Sequence, residues 1–390
     1  MLFKKCLSSI PIPKPLSPGK GLSVGLPPSP RLGLRPKPHL LITIEVFRQT
    51  DTGIFVLPCI IKFSSNIRRA MNSTNPFIYS DDNKRYHTLN YYNKSSFNSK
   101  VFKAVIDAGF TCPNKDGTKG TGGCIYCMGG SGYFTEKSDG EIYDSVKRQL
   151  AAEKERIYKK HPDSLITAYF QANTNTYAPV ATLKEAYTAA IDFGVHGISI
   201  GTRADCLPDD VIALLCDINS KTHLTVELGL QTIHDKSAQI INRCYTYDEF
   251  LDGYRKLQES GIRTCLHLID GLPGETKADM LDTAKEVARL HPAAVKIHLL
   301  HINHGTALER LFLSGGYVPL TRDEYIDTVI SQLEYLPADI VIERITGDAD
   351  KKYLVAPMWS ADKIAVLGGI DRQMKLRNTY QGIKCDSKQP

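Results

Sequence analysis

From about residue 100 onward, short apolar segments alternate with amphipathic helical patterns, and this order limits the chain to few folds. The six clearest apolar segments are Val101–Ala108, Leu165–Gln171, Gly197–Gly201, Leu224–Leu230, Arg263–Ile269 and Val295–Ile302, and a seventh candidate is Ile340–Ile345. They are mostly apolar rather than alternating, which is typical of strands buried on both faces of a parallel sheet. Six βα units in series predict an α/β fold, either a full or partial barrel or a doubly wound open sheet.

The segments between these strands carry helical periodicity and signals for helix starts. Two sets of apolar residues each fall on one helical face: Phe250, Leu251, Tyr254 and Leu257, and Ile326, Val329, Ile330 and Leu333. Three helix starts have the pattern of a capping box: Thr182 with Glu185, Thr246 with Glu249, and Thr321 with Glu324. In either topology, a site is expected at the C-terminal ends of the strands.

The composition changes sharply near residue 70. Residues 11–38 are dominated by Pro, Lys, Gly, Ser and Leu, a composition that does not form a packed core. We therefore predict four regions: 1–70 as a Pro-rich, low-complexity extension, 71–100 as a lead-in, 101–346 as the barrel, and 347–390 as a C-terminal segment and tail. Met71 precedes the ordinary sequence, so our hypothesis is that translation starts there; a disordered tail is the alternative.

Composition and charge point to an ordinary globular enzyme. Hydrophobic residues make up 42% of the 390 residues, and the formal net charge of +6 is compatible with nucleic-acid binding without requiring it. No apolar run reaches the length of about 18 residues that a membrane-spanning helix needs. Ten cysteines, three of them close together, are typical of one metal site plus buried thiols in a reducing compartment. We therefore expect a cytoplasmic protein that does not bind membranes.

The three clustered cysteines lie in a glycine-rich loop directly after the first predicted strand. Cys112, Cys124 and Cys127 are spaced as C-x11-C-x2-C. Thiolates are soft ligands, suited to zinc or to iron–sulfur clusters. A structural zinc site takes four ligands, whereas three cysteines on a [4Fe–4S] cluster leave one iron open to a small molecule. The count favours a cluster, and a zinc site with a distant fourth ligand is the alternative.

Together with four further motifs, this loop resembles the radical S-adenosylmethionine (SAM) proteins. The motifs are Phe170–Thr174 (FQANT), Gly201–Asp205 (GTRAD), Glu227–Thr232 (ELGLQT) and Gly271–Glu275 (GLPGE). The chain is similar to the radical SAM domain of the Elongator catalytic subunit, and in particular to the YhcC-like family of bacterial radical SAM proteins. The resemblance covers roughly residues 76–370.

The resemblance implies a partial (βα)6 TIM-like barrel of the radical SAM type. It implies that Cys112, Cys124 and Cys127 ligate three irons of a [4Fe–4S] cluster, and that SAM chelates the fourth iron. An electron from a donor such as flavodoxin or ferredoxin then cleaves SAM, and the 5′-deoxyadenosyl radical abstracts a hydrogen atom from an unidentified substrate. RNA is a candidate substrate by analogy with the Elongator-like branch. A zinc-stapled barrel with a binding or regulatory role and an electron-transfer protein are the alternatives.

Seven polar or glycine residues at the predicted strand ends are candidates for holding SAM: Gln171, Asn173, Thr174, Arg203, Glu227, Gln231 and Gly271. Each also has a simpler explanation, such as a local turn for the first three or an ion pair with Asp205 for Arg203. A carboxylate inside an apolar strand is costly without a partner. Glu227 therefore needs either SAM or a buried Lys or Arg beside it.

Several other polar residues have weaker indications of function. Alternation places Lys296 and His298 on one face of the sixth strand, where one of them could act as a substrate-facing acid or base. The run Asn242–Thr246 (NRCYT) departs at Cys244 from the Asn-Arg-Gly-His-Thr run of the Elongator-like branch. Cys206, Cys216 and Cys265 are predicted to be core thiols. A basic cluster gives modest support for RNA binding and consists of Lys84, Arg85, Lys94, Lys100 and Lys103.

Overall fold

A parallel sheet of seven strands, whose order follows the chain, organises the fold. The computed structural model describes residues 77, 84–128, 140–171, 173–347 and 351–385. Contacts divide the chain into Met1–Phe63 and Ser64–Pro390, and all described residues belong to the second unit. The sheet contains β1 (Val101–Ile106), β2 (Leu165–Phe170), β3 (Gly197–Thr202), β4 (His223–Gln231), β5 (Arg263–Asp270), β6 (Ala294–Leu299) and β8 (Val341–Arg344), while β7 (Ile302–Asn303) and β9 (Leu354–Ala356) form a separate antiparallel pair.

Helices follow most of the strands and cover the outside of the sheet. They are α1 (Leu89–Phe97), α2 (Ile142–Tyr158), α3 (Val180–Asp192), α4 (Asp209–Asn219), α5 (Asp235–Ile240), α6 (Tyr247–Glu259), α7 (Lys277–Leu290), α8 (Ala307–Leu313), α9 (Arg322–Tyr335) and α10 (Lys363–Leu376). Neighbouring helices pack on each other in the order of their strands, as α2 does on α3 and α7 on α9. The two predicted helical faces are largely buried.

The fold class expected from the sequence is confirmed. All seven predicted apolar segments contain a strand, including the seventh, and every pairing in the sheet is parallel. The strand order runs β1 to β6 and then β8 without reversal, whereas a doubly wound sheet reverses its order at a switch point. The sheet is therefore a curled, partial barrel. Residues 1–70 lie outside the described part of the chain, so the predictions about them stay predictions.

One predicted strand is too long. Val295–Ile302 was expected to be continuous, but β6 ends at Leu299, and Ile302 pairs with Ala356 of β9. The backbone amide of Leu300 donates instead to the carbonyl of Asp270, at the end of β5. The chain therefore leaves the sheet at the same level as its neighbour, which puts the two strand ends side by side.

Two of the three capping boxes predicted from the sequence are present in the structure. The boxes at Thr246 and Thr321 are both present, with each threonine hydroxyl accepting from the backbone amide three residues on. The box predicted at Thr182 is wrong, because α3 begins at Val180, after Pro179, and Thr182 lies inside the helix. A further box at Thr276 was missed, since its third residue is Asp279 rather than Glu or Gln.

We expect Thr276→Ala to lower the free energy of unfolding by about 1 kcal/mol, because the first turn of α7 loses a side-chain acceptor. The matched control is Thr182→Ala, which replaces a helix-interior threonine and should be neutral or slightly stabilising. Urea unfolding followed by circular dichroism measures both. An equal loss in the two variants would show that the cap at Thr276 does not stabilise α7.

The lead-in before β1 contacts the opposite end of the sheet. The carbonyl of His87 accepts from the amide of Ile342 in β8, at 2.7 Å. Lys84 pairs with Asp371, and Arg85 donates to the carbonyl of Thr379 at 3.1 Å. The predicted basic cluster is thus divided: Lys84 and Arg85 contact the C-terminal segment, Lys94 and Lys100 are exposed on α1 and just after it, and Lys103 lines the cavity of the barrel. It does not form one RNA-binding surface.

Candidate active site

A cavity of about 570 Å³ opens where the parallel strands end. Nine of the ten predicted site residues line it: Cys112, Cys124, Cys127, Gln171, Asn173, Thr174, Arg203, Glu227 and Gln231. They come from the loop after β1 and from β2, β3 and β4 or the turns that follow them, as the common edge of a parallel sheet allows. A larger cavity of about 950 Å³ lies between the cysteine loop, α3 and α6, and none of the three clustered cysteines lines it. The chemistry therefore belongs to the smaller cavity.

The cysteine loop is held by its own backbone and by the segment between α5 and α6. The amide of Gly123 donates to the carbonyl of Asn114 at 2.8 Å, and the Asn242 side chain donates to the carbonyl of Gly123 at 2.8 Å. The Asn114 amide nitrogen lies 3.7 Å from Cys124 Sγ. A Cβ at Gly120 would lie 2.3 Å from Asn114 Oδ1, so a larger residue at this position would displace the Asn114 side chain. The loop thus places one thiol beside a hydrogen-bond donor.

The donor set fits an iron–sulfur cluster better than a single ion. Among the described residues, no group of three or more His, Cys, Asp or Glu side chains is arranged to hold one metal ion. A cubane cluster puts each cysteine on a different iron, which spaces the sulfurs more widely than ligands of one ion. Burial raises the pKa of the Cys124 side chain to about 11, so without a bound metal it is a thiol at neutral pH. The described residues therefore contain no four-ligand site of the kind that structural zinc needs.

The other cysteines differ from expectation in one case. Cys206 and Cys265 are buried, as predicted. Cys216 is exposed, so its prediction as a core thiol is wrong; it lies on a face of α4 that points away from the sheet. Cys244 adopts a left-handed backbone conformation with φ of 61°. This conformation favours glycine, so a cysteine here is under backbone strain.

The residues after β2 tie this strand to the cysteine loop. Asn173 has a positive φ of 57°, and its side-chain amide donates to the carbonyl of Phe110 at 2.8 Å. Its oxygen accepts from Lys115 Nζ at 2.6 Å. The backbone amide of Thr174 donates to Thr111. The side chain of Asn173 therefore stabilises the turn after β2. The sequence allowed either this role or binding of SAM, and the turn is the simpler explanation.

Arg203 forms a buried ion pair rather than a surface pair. Its guanidinium donates to both carboxylate oxygens of Asp205, at 2.9 and 2.8 Å, and to the carbonyl of Arg243 at 2.8 Å. Burial opposes ionisation of Asp205, but hydrogen bonds from Arg203 and from Lys119 outweigh it and hold the pKa of that carboxyl below its usual value. The guanidinium lies 4.7 Å from the centre of the Tyr245 ring. Arg203 thus fixes the wall of the cavity.

Arg243 is a site residue whose role the sequence did not reveal. Its side chain is 1% exposed and donates to the carbonyls of Leu230, Thr232 and Tyr245, at 2.6, 2.7 and 3.1 Å. These bonds satisfy backbone groups where β4 ends. Gln231, between two of the acceptors, has a positive φ of 59°. In the sequence, Arg243 stood out only as part of the run Asn242–Thr246, and that run does not indicate these contacts.

The inner end of the cavity carries a layer of polar side chains, which we call the charged floor. It consists of Lys103, Tyr169, Glu227, His267, Lys296, His298 and Glu343. Lys103 Nζ contacts Glu227 at 2.5 Å and Glu343 at 2.8 Å. Lys296 Nζ also contacts Glu227, and His267 Nε2 lies 2.8 Å from the same carboxylate. Glu227 therefore has buried lysine partners, the second of the two possibilities that the sequence left open.

The floor is ionised at its lysines and glutamates but not at its histidines. Burial opposes the ionisation of Glu227, yet Lys103 and Lys296 hold the pKa of its carboxyl well below the usual value. Burial and the nearby Lys296 lower the pKa of His267. Burial and His267 lower the pKa of His298 well below its ordinary value. At neutral pH the two imidazoles are uncharged hydrogen-bonding groups.

Gly271 is the one predicted site residue that the structure does not bring to this cavity. It has a positive φ of 85°, and its carbonyl accepts from the Tyr317 hydroxyl at 2.5 Å. The side chain of Leu320 lies 3.2 Å from where a Cβ would be. Its contact with SAM therefore stays a prediction, and its glycine is explained by the turn after β5 and by this close packing.

Asp270, the residue before it, is buried and titrates near neutrality. Burial raises the pKa of its carboxyl from 3.8 to about 7, despite a 2.7 Å hydrogen bond from Gln332. The folded protein thus retains a proton that the unfolded chain releases. The resulting stabilisation is complete below about pH 4 and is lost as the pH rises through about 7.

We expect Asp270→Asn to remove this pH dependence and to stabilise the protein by about 4 kcal/mol at pH 8, because an amide is uncharged at every pH. Unfolding midpoints between pH 5 and pH 8 measure the effect, and Asp282→Asn, on the exposed face of α7, is the control. If Asp270→Asn and the wild type lose stability in parallel over this range, Asp270 is not the group that titrates.

Comparison with known proteins agrees with this fold and site. Residues 116–287 match the Radical SAM superfamily, and residues 292–376 match the Radical_SAM C-terminal domain. The Bacillus subtilis protein YtqA is 45% identical over 314 residues, which cover 80% of this chain and 96% of YtqA. The Escherichia coli protein YhcC is 32% identical over 280 residues, covering 71% and 88%. The chain therefore belongs to the radical SAM superfamily and is an enzyme of that class.

A solved structure supports the fold independently. The archaeal Elp3 of Methanocaldococcus infernus superposes with a TM-score of 0.54 at 17% sequence identity, over 73% of this chain and 64% of that one. At this identity the likeness concerns the fold alone. No helix among the described residues is long and apolar enough to cross a membrane.

Proposed function

We propose that this enzyme binds a [4Fe–4S] cluster through Cys112, Cys124 and Cys127, and that it cleaves SAM reductively beside that cluster. The observation that carries the proposal is the position of the three thiols around one end of a cavity that opens at the strand ends. When bound, the cluster would supply the electron for reductive cleavage of SAM, and the chemistry available to the substrate would be abstraction of a hydrogen atom.

The residues of the chain hold and orient these reactants. Asn114 lies within hydrogen-bonding distance of Cys124, which steadies one thiolate and stabilises its charge. Gln171, Thr174 and Gln231 line the space next to the cysteines and are the side chains we assign to SAM. Asn173, Arg203 and Glu227 bond to neighbouring protein groups, and we assign them to positioning the walls of the cavity. The strand walls keep water away from the radical.

We further propose a one-electron donor such as flavodoxin or ferredoxin, and a cytoplasmic location. Cys127 is exposed, which leaves the cluster end of the cavity accessible to a donor protein. Exposed thiolate ligands persist best in a reducing compartment.

RNA is the substrate class that we propose to test first. A protein described as tRNA uridine(34) acetyltransferase, from Methanocaldococcus jannaschii, is 28% identical over 133 residues, covering 33% of this chain and 25% of that protein. The support for RNA as the substrate class comes from this relative. Incubation with bulk RNA and mass spectrometry of its nucleosides tests the substrate class.

Anaerobic reconstitution tests the central proposal. The protein is loaded with iron and sulfide, reduced with dithionite and supplied with SAM, and 5′-deoxyadenosine is measured by chromatography. We expect four irons and four sulfides per chain and formation of 5′-deoxyadenosine. A protein that takes up zinc without sulfide and leaves SAM intact would instead support the zinc-stapled barrel.

A further inference from the structure

The charged floor places ionised side chains in the interior of the barrel, where removing them from water costs free energy. Barrel interiors are usually packed with branched apolar side chains, and buried ion pairs often stabilise no more than apolar residues of the same size. Here Lys296 is 5% exposed and Glu227 is 1% exposed, and both are ionised. Stability alone therefore does not account for the floor.

The floor offers hydrogen-bond donors and few acceptors. Both oxygens of Glu227 are used, one by Lys103 and the other by Lys296 and His267. One oxygen of Glu343 accepts from Lys103, and the other lies 3.9 Å from Arg263. Each ammonium carries three hydrogens. Lys103 gives two of them to the glutamates, and Lys296 gives one to Glu227 and one, at 3.4 Å, to the Tyr169 hydroxyl.

Two further observations agree with the presence of unused hydrogen-bond donors at the floor. The buried Nε2 atom of His298 has no hydrogen-bond partner, and its side chain lines the same cavity. Lys103 and Lys296 lie three residues before the ends of β1 and β6, which puts the floor about 10 Å below the strand ends. That depth leaves room for part of a second molecule beneath the cysteine end of the cavity.

We propose that the charged floor binds an anionic group of the substrate, a carboxylate or a phosphate, through the ammonium groups of Lys103 and Lys296. Glu227 and Glu343 position the two lysines, and His298 donates a further hydrogen bond. The proposal rests on the proposed function, because the molecule held at the floor is the one whose hydrogen atom faces the SAM end. An anion is favoured here because its oxygens accept the donors left over on the floor.

Binding of simple anions tests the floor without knowledge of the substrate. The probes are sodium acetate, inorganic phosphate and neutral acetamide, titrated at constant ionic strength into the reconstituted full chain with the unfolding midpoint as readout. We expect a saturable rise with acetate, with phosphate or with both, and none with acetamide. A response to acetate alone identifies a carboxylate site, and a response to phosphate alone identifies a phosphate site.

Variants that remove charge in pairs avoid leaving a buried ion alone. They are Lys296→Met with Glu227→Gln, and Lys103→Met with Glu343→Gln, and the control is Lys285→Met on the exposed face of α7. We expect the apparent Kd for the anion to rise at least about tenfold in either paired variant and to stay unchanged in the control. The second pair keeps the test decisive if the first does not fold.

The results of these experiments distinguish a failure of the anion site from a failure of the proposed SAM cleavage. No saturable anion binding in the wild type, equal binding in the paired variants, or an equal effect of acetamide overturns the anion site. Formation of 5′-deoxyadenosine without substrate is measured in the same samples. If it persists while the anion site fails, the radical SAM assignment stands and only the floor has been misassigned.

Discussion

Replacing Cys124 with alanine abolishes formation of 5′-deoxyadenosine, and this is the largest functional effect we expect from any single substitution. Cys124 is the thiol that Asn114 contacts, and it lies in the same cavity as Cys112 and Cys127. Two thiolates do not hold a cluster that needs three, so the variant should also lose most of its iron and sulfide. Visible absorbance, metal and sulfide analysis, and product chromatography after anaerobic reconstitution measure these losses together.

The matched control is Cys216→Ala, because this thiol is exposed on α4 and does not line the cavity. It should keep full iron, sulfide and product. Circular dichroism of both variants shows whether the fold survives. A Cys124→Ala protein that retains four irons and still cleaves SAM would mean that another residue completes the ligand set, and the assignment of the three cysteines would fall.

The sheet could be predicted from the sequence because its strands are buried on both faces and therefore read as apolar runs. Helix starts were less predictable, since a cap depends on where the preceding turn stops. Pro179 starts α3 before Thr182, and Asp279 replaces the expected Glu in the box at Thr276. The three cysteines were found because their spacing is local, within one loop.

The interior of the site was not predictable in the same way, because its partners are distant along the chain. Lys103 is 124 residues from Glu227, and Lys296 is 69 residues from it. The sequence showed that Glu227 needs a partner but not which one. Arg243 bonds to backbone carbonyls, and no side-chain pattern encodes such acceptors. Contacts of this kind appear only once the strands are placed in register.

Glu227→Leu is expected to be the most destabilising substitution in the barrel, with a loss of about 3–5 kcal/mol in the free energy of unfolding. Glu227 accepts from Lys103, Lys296 and His267, so leucine leaves two ammonium groups buried with only Glu343 nearby. Urea unfolding at pH 7 measures the loss. The control is Glu155→Leu, which removes an exposed ion pair with Lys159 and should cost at most about 0.5 kcal/mol.

A second substitution separates loss of charge balance from loss of packing. If an unpaired ammonium causes the destabilisation, adding Lys296→Met to Glu227→Leu should recover a large part of it, because the buried charge is removed and an apolar side chain of similar length takes its place. The explanation would be contradicted if the double variant had a lower free energy of unfolding than Glu227→Leu, by as much as a substitution of a core residue normally causes. The two lysines and two glutamates of the floor would then be independent packing elements, and their charges would not form one coupled network.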